Sequence, residues 1–323
     1  MSSIVESPEI EPVESAGAGT ASRSGGTFAL IARVVRERPS ALVGLIILVA
    51  AVLIAVFAPL IAPYGPHEQV GPVFSPPSLH HPMGLDDGGI DVFTLILYGG
   101  RISLTVGLAA TLVAILMGGG IGILSGYLGG MTDTVLMRFN DYFLVIPVMP
   151  LMMVIAVLWG PSTSHLILVI GLLQWTTTSR VVRAQVRSVR ERVYIKRARA
   201  LGAGHSRVIL RHVLPQIAPL LIANTVLTVA ISIFMETALA FLGLSDPSAT
   251  SWGTMIQHAF ERTAASSGAW WAIFYPGAAI AIVVMACYLL GQAIEDALNP
   301  RLKVSHVSVR LFRMRQLPTR GEE

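Results

Sequence analysis

Long apolar runs separated by short polar connectors dominate the chain. A helix that crosses a bilayer needs about 20 mostly apolar residues. Runs near that criterion lie at 41–62, 103–127, 142–159, 165–182, 216–241 and 271–293. Pro147 and Pro150 interrupt the third, and Gly160-Pro161-Ser162 separates it from the fourth. Gln174 and the polar stretch Thr176 to Ser179 thin the end of the fourth. Prolines are tolerated in spanning helices when neighbours satisfy the freed carbonyls. The pattern predicts an all-α membrane protein with about six transmembrane helices. Residues 1–27 are rich in Ser, Glu, Gly, Ala and Pro without apolar periodicity. They predict a disordered tail, taken to run to residue 35. A secretory signal would need an apolar stretch close to the start, and the first apolar run begins only near Ala41.

Composition supports the membrane class. Of 323 residues, 53% are hydrophobic and 13% charged, and the mean hydropathy is +0.67. A soluble domain carries about 25% charged residues. The basic excess of 23 Lys and Arg over 19 Asp and Glu does not point to nucleic acid, because the charges sit in the connectors. They act there as topology signals. Alternate segments hold four, one, ten and six cations, 21 of the 23, with the ten in the connector 180–215. That asymmetry predicts a multi-pass protein with both termini and this connector in the cytoplasm.

Glycines 118, 119, 120, 122 and 126 cluster in the second run, where small residues let two helices approach closely. The single cysteine, Cys287, lies inside an apolar run, so the chain can form neither an intrachain disulfide nor a cysteine zinc site. The first outer loop crowds His67, His80, His81, Asp86, Asp87 and Asp91, but in no closed zinc pattern. Asp86 and Asp91 are candidates for a gate or a structural role, in a loop suited to contact with an external partner. Glu236 is the one carboxylate in the strongly apolar part of a run, and is either a structural hydrogen-bonding group or a proton relay. No metal site and no catalytic constellation is evident. The two lysines, Lys196 and Lys303, follow no phosphate-loop glycine pattern, so the chain carries no recognisable ATP site.

In the basic connector Val182, Val186, Val189 and Val193 recur at helical steps. Tyr194, Ala198 and Leu201 continue on a neighbouring stripe, and Gly202 is placed to stop the helix. Two readings stay open: an amphipathic helix on anionic lipid, or a small-sided helix docking on a cytoplasmic partner.

Tyr194-Ile195-Lys196-Arg197-Ala198-Arg199-Ala200-Leu201-Gly202-Ala203, followed by Arg211-His212-Val213-Leu214-Pro215, resembles the Glu-Ala-Ala loop of bacterial ABC importer permeases. Lys196 and Arg197 stand where the family has Glu and Ala. The segments 81–91, 98–104, 236–244, 251–255 and 296–301 resemble the second, C-type permease of the dipeptide/oligopeptide branch, with coverage from about residue 35 to 303. The resemblance implies a type I importer permease fold over 36–303 with a basic tail at 304–323. It implies a coupling loop at 190–215 whose ATPase contacts include Tyr194, Ala198, Leu201, Gly202, Ala203 and His205. It further implies import of di- or oligopeptides, or alternatively of a nickel chelate or a glycan fragment. The partners would be a homologous second permease, two ATP-binding ATPase subunits carrying ATP and magnesium, an extracytoplasmic peptide-binding protein and membrane lipid. No cofactor is expected in this chain. A different class, a proton-coupled carrier using Glu236, is the runner-up.

Overall fold

The computed structural model describes residues 27–298. The expected signature at 296–301 and both tails extend beyond this range, and the basic tail at 304–323 lies outside the described residues. The chain is helical, with two isolated β-bridges, Gln69 to Ile90 and Leu85 to Asp91, in the loop before the second long helix. In order, the helices are α1 (Thr27–Glu37), α2 (Pro39–Val56), α3 (Ala58–Ile61), α4 (Val92–Leu128), α5 (Gly130–Val145), α6 (Val148–Trp159) and α7 (Thr163–Arg190). They continue as α8 (Val193–Ala200), α9 (His205–Val208), a π-turn at Ile209–Val213, α10 (Leu214–Phe241), α11 (Trp252–Glu261) and α12 (Trp271–Leu298). The stretch 27–35, expected to belong to the unstructured tail, is therefore helical.

Among the described residues, four helical stretches are long and apolar enough to cross a membrane: Pro39–Val56, Val92–Leu128, His205–Phe241 and Trp271–Leu298. The pair α5 and α6 adds a fifth if it counts as one broken span, bent by 86°. Pro147 makes that bend, because it lacks an amide hydrogen and pushes Ile146 into extended backbone (ψ 128°). The expected third span, 142–159, thus straddles a break, and its helix begins at Gly130 in what was read as a connector. The expected fourth span, 165–182, is part of α7. That helix has the length, 28 residues, but carries polar Gln174 and Thr176 to Arg180 through its middle.

Those polar residues have an internal use. Thr176, Thr178 and Ser179 are buried, and the amide of buried Asn140 on α5 donates to the Thr176 carbonyl at 3.0 Å and to the Ser179 hydroxyl. A polar group in an apolar medium needs such a partner. Outward positions of α2 and α4, among them Ile46, Leu53, Leu108, Leu112 and Leu116, are apolar and exposed. An apolar outer face costs free energy in water and none in lipid.

The seam between α4 and α7 organises the rest. A β-carbon added at Gly118 would lie 2.5 Å from the Trp175 carbonyl oxygen. The same atom would lie 2.6 Å from that of Ser179 at Gly122, and 2.8 Å from that of Arg183 at Gly126. Both sets of positions advance by four, so the two helices run parallel with their backbones in contact. The glycine cluster is a close helix pair, as its composition predicts.

Candidate coupling segment and polar sites

Val182, Val186 and Val189 are fully buried, with Val182 and Val186 seated on Gly122 and Gly126 of α4. The valine stripe is therefore the seam face of α7, and Val193 alone lies exposed beyond it. The periodicity was correct but the helix it describes is not one helix. Arg192 adopts extended backbone (ψ 143°), α7 ends at Arg190, and α8 starts afresh at Val193.

Ile195 anchors α8. It is fully buried in a cluster with Val189, Val208, Val213 and Ile217. Its partners come from after the turn, so no local period in the sequence marks it. Gly202 closes α8 with φ +83°, donating to the Arg199 carbonyl at 3.0 Å, while Ala203 donates to the Ala198 carbonyl at 3.1 Å. This bond pair is the left-handed glycine termination that the sequence predicts.

The termination leaves a projecting tip. Leu201 is 88% exposed, and nothing lies within 4 Å of a β-carbon added at Gly202 or Gly204. Tyr194 is exposed with its ring 6.5 Å from that of His212, while Ala198 and Ala203 are half-buried. The exposed His205 places its Nδ1 3.4 Å from the hydroxyl of Tyr127, a buried residue near the end of α4. Thus Tyr194, Ala198, Leu201, Gly202, Ala203 and His205 share one short segment, held to α4 and α7 at its base and free at its tip.

Glu236 lies elsewhere. It is 1% exposed, and its Oε2 accepts from Ser103 at 3.0 Å. The Ser103 hydroxyl in turn accepts the Trp252 amide at 3.2 Å. The contact joins α10, α4 and the start of α11. Among the described residues no cation pairs with Glu236.

Asp86 and Asp91 sit in the folded loop ahead of α4 and share no hydrogen bond or ion pair with Glu236. Asp91 caps α4, accepting the Thr94 amide at 2.8 Å, and its other oxygen lies 3.2 Å from His81 Nδ1. An aspartate at this position satisfies an otherwise unpaired amide of the first turn. Asp86 accepts from the amides of Gly88 at 2.9 Å and Ile90 at 2.8 Å. Burial nevertheless raises its pKa above the ordinary carboxylate value, and neighbouring Asp87 pushes the same way. A pocket of about 150 Å³ opens here, lined by His67, Asp86, Asp87, Thr254 and His258 among others. Among the described residues no three His, Cys, Asp or Glu side chains are grouped to hold a metal ion.

Comparison with known proteins agrees with this architecture. Residues 118–304 match the family described as binding-protein-dependent transport system inner membrane component. Residues 27–79 match the N-terminal transmembrane domain of oligopeptide transport permease C. A dipeptide transport system permease protein of Bacillus subtilis is 34% identical, covering 84% of this chain and 85% of its own length. An oligopeptide transport system permease protein of the same organism is 33% identical over 83% of this chain and 88% of its own. A Brucella suis chain, provisionally named as a peptide transport system permease protein, is 37% identical over 85% of this chain and 92% of its own. A parallel pair of long helices carrying a projecting connector, inside an apolar helical shell matched along most of its length, places this chain in the binding-protein-dependent transport system inner membrane component family, an integral membrane permease.

Proposed function

We propose that this chain is a permease subunit of an ATP-driven importer for di- or oligopeptides. It forms half of the translocation path, with a homologous permease supplying the other half. An external binding protein delivers peptide, and two cytoplasmic ATPases, which hold the ATP and magnesium, drive the cycle. The observation that carries this reading is the coverage of the relatives: permeases named for dipeptides and oligopeptides match over 83–84% of this chain and 85–88% of their own length.

Six spans suit this role, with α5–α6 as a broken third and α7 as the fourth. Both termini then lie in the cytoplasm, and the parallel α4 and α7 both run inward to the connector. Residues 190–206 form the coupling segment. Its base moves with α4 and α7 because their backbones touch at three glycines, and its tip is open to a partner. Rigid-body transmission needs such a stiff lever.

The testing experiment is a pull-down of the tagged chain in mild detergent, with mass spectrometry of the partners. A related permease and an ATPase are expected, and a co-purifying binding protein would identify the substrate. Recovery of the chain alone from several detergents would reject the importer and return attention to a proton-coupled carrier.

A further inference from the structure

The pocket beside Asp86 does not stand alone. A second pocket of about 320 Å³ adjoins it, and Pro66, His67 and Ser248 to Thr250 line both. One face of α4 runs along the pair: Val92 and Leu95 line the first, and Tyr98, Arg101, Ile102 and Thr105 line the second. These positions recur at steps of three and four, so they share a side of the helix. The two pockets form one cleft along α4.

The ends of this cleft carry opposite charge. At the first end, both amide bonds that Asp86 accepts fall on its Oδ1, which leaves Oδ2 to a ligand. Neighbouring Asp87 already lies 3.7 Å from Arg262. Burial raises the Asp86 pKa, and a bound cation would lower it again. Among the described residues no three His, Cys, Asp or Glu side chains are grouped to hold a metal ion, so the cation that suits this end is an organic ammonium group. At the second end Arg101 is exposed, and among the described residues no carboxylate pairs with it. Tyr98 and Thr105, about one turn to either side on α4, carry hydroxyls and line the same pocket. A guanidinium among hydroxyl groups is matched to a carboxylate.

The spacing of the ends selects the ligand. From Leu95 to Arg101 along α4 is about 9 Å, at about 1.5 Å of rise per residue. An extended peptide covers that distance with about three residues, at about 3.3 Å each. A free amino acid holds its ammonium and carboxylate on one carbon and cannot reach both ends. We infer that this cleft binds a short unblocked peptide of about three residues, its terminal ammonium on Asp86 and its terminal carboxylate on Arg101. The inference rests on the proposed importer reading and gives the imported peptide a site within this chain.

The test uses the full transporter purified in detergent without its binding protein, with peptide binding measured by ligand-observed NMR. Trialanine is expected to bind about tenfold more tightly than N-acetyl-trialanine, trialanine amide or alanine, each of which forfeits a charge-assisted contact. Arg101→Gln is expected to erase the preference for trialanine over its amide and to keep the preference over the acetylated peptide. Asp86→Asn is expected to do the reverse. Equal binding of free and capped trialanine by the wild type would overturn the inference, as would binding of alanine as tight as that of trialanine. A loss in either variant that fell equally on all three peptides would also overturn it, since a merely structural role predicts that pattern. A wild-type chain that purified without a second permease or an ATPase would instead reject the importer reading, and the same titration on that chain alone would still decide the site.

Discussion

Arg183 grips Asp133 through Nε at 2.5 Å and Nη2 at 2.7 Å, and so ties the first turn of α5 to the C-terminal third of α7. Ser125 near the end of α4 donates to the same carboxylate. Three helices therefore meet on one aspartate just ahead of the connector. A forked guanidinium–carboxylate contact fixes orientation as well as distance. Asp133→Ala is expected to lower stability by about 2 kcal/mol, since hydrogen bonds to charged groups contribute about 1.5–3 kcal/mol each. Thermal unfolding in detergent measures that loss. Transport falling further than ATPase activity would show that the node also aligns the connector.

The glycine seam makes a contrasting pair of substitutions. Gly122→Ala would place its β-carbon 2.6 Å from the Ser179 carbonyl oxygen, so two backbones must separate. Overpacking of this kind costs about 1–3 kcal/mol. Gly120, two residues earlier on the same helix, has nothing within 4 Å of its added β-carbon. Gly120→Ala is expected to be neutral or to stabilise by up to about 1 kcal/mol, through lower entropy of the unfolded chain. Equal melting temperatures for the two variants would argue against the seam.

These glycines show how much of the fold was legible. Their crowding in one apolar run indicates a close helix pair, but a single sequence does not say which helix answers them. The answer, α7, was obscured because Gln174 and Thr176 to Ser179 read as a weakened membrane span. Inside the structure Thr176, Thr178 and Ser179 are buried: Asn140 donates to the Thr176 carbonyl and the Ser179 hydroxyl, and Asn224 donates to the Thr178 hydroxyl. The stop at Gly202 was readable because positive φ is a local property of glycine. The burial of Ile195 was not, because it depends on Val208 and Val213 returning across the turn. Asp91 reads from the sequence as a gate or a structural residue, and its capping of α4 through the Thr94 amide depends on where that helix begins.

Gly202 and Gly204 separate backbone strain from docking. Gly202 has φ +83°, so Gly202→Leu combines a strained backbone with added bulk. Gly204 has an ordinary φ of −64° and equally open space. Gly204→Leu should therefore leave the isolated chain folded, with an unchanged melting temperature, while transport drops because the tip no longer fits its partner. Gly202→Asn, which tolerates the left-handed region, is expected to fold and to transport. Normal transport by Gly204→Leu would remove the tip from the docking surface.

Glu236 invites a direct test of its role. Gln at 236 preserves an acceptor for Ser103 and cannot relay a proton. Glu236→Gln is expected to transport at close to the wild-type rate in ATP-loaded vesicles, with or without a proton ionophore. Glu236→Ala removes the acceptor from buried Ser103 and is expected to cost about 1–3 kcal/mol in stability while leaving most transport intact. Complete loss of transport in a correctly assembled Glu236→Gln protein would revive the proton-coupled alternative.

Asp86 gives the loop ahead of α4 a pH dependence whose sign follows from its surroundings. Its pKa is raised in the folded state, chiefly by burial, with Asp87 adding to the rise and the Ile90 and Gly88 amides and His258 opposing it. A carboxyl with a raised folded pKa contributes stability that is present below its unfolded pKa, near 4. That contribution is lost as pH rises through the folded value, because the buried group must then ionise. Asn at 86 keeps an oxygen for the Gly88 and Ile90 amides without the charge. Asp86→Asn is therefore expected to unfold at a higher temperature than wild type at pH 7.5. The gap should close as the pH falls through the folded pKa of Asp86, when the wild-type carboxyl takes up its proton. Melting curves of both proteins from pH 4 to 8 in one detergent measure this, and a gap that widened toward low pH would show that the two amide bonds outweigh burial.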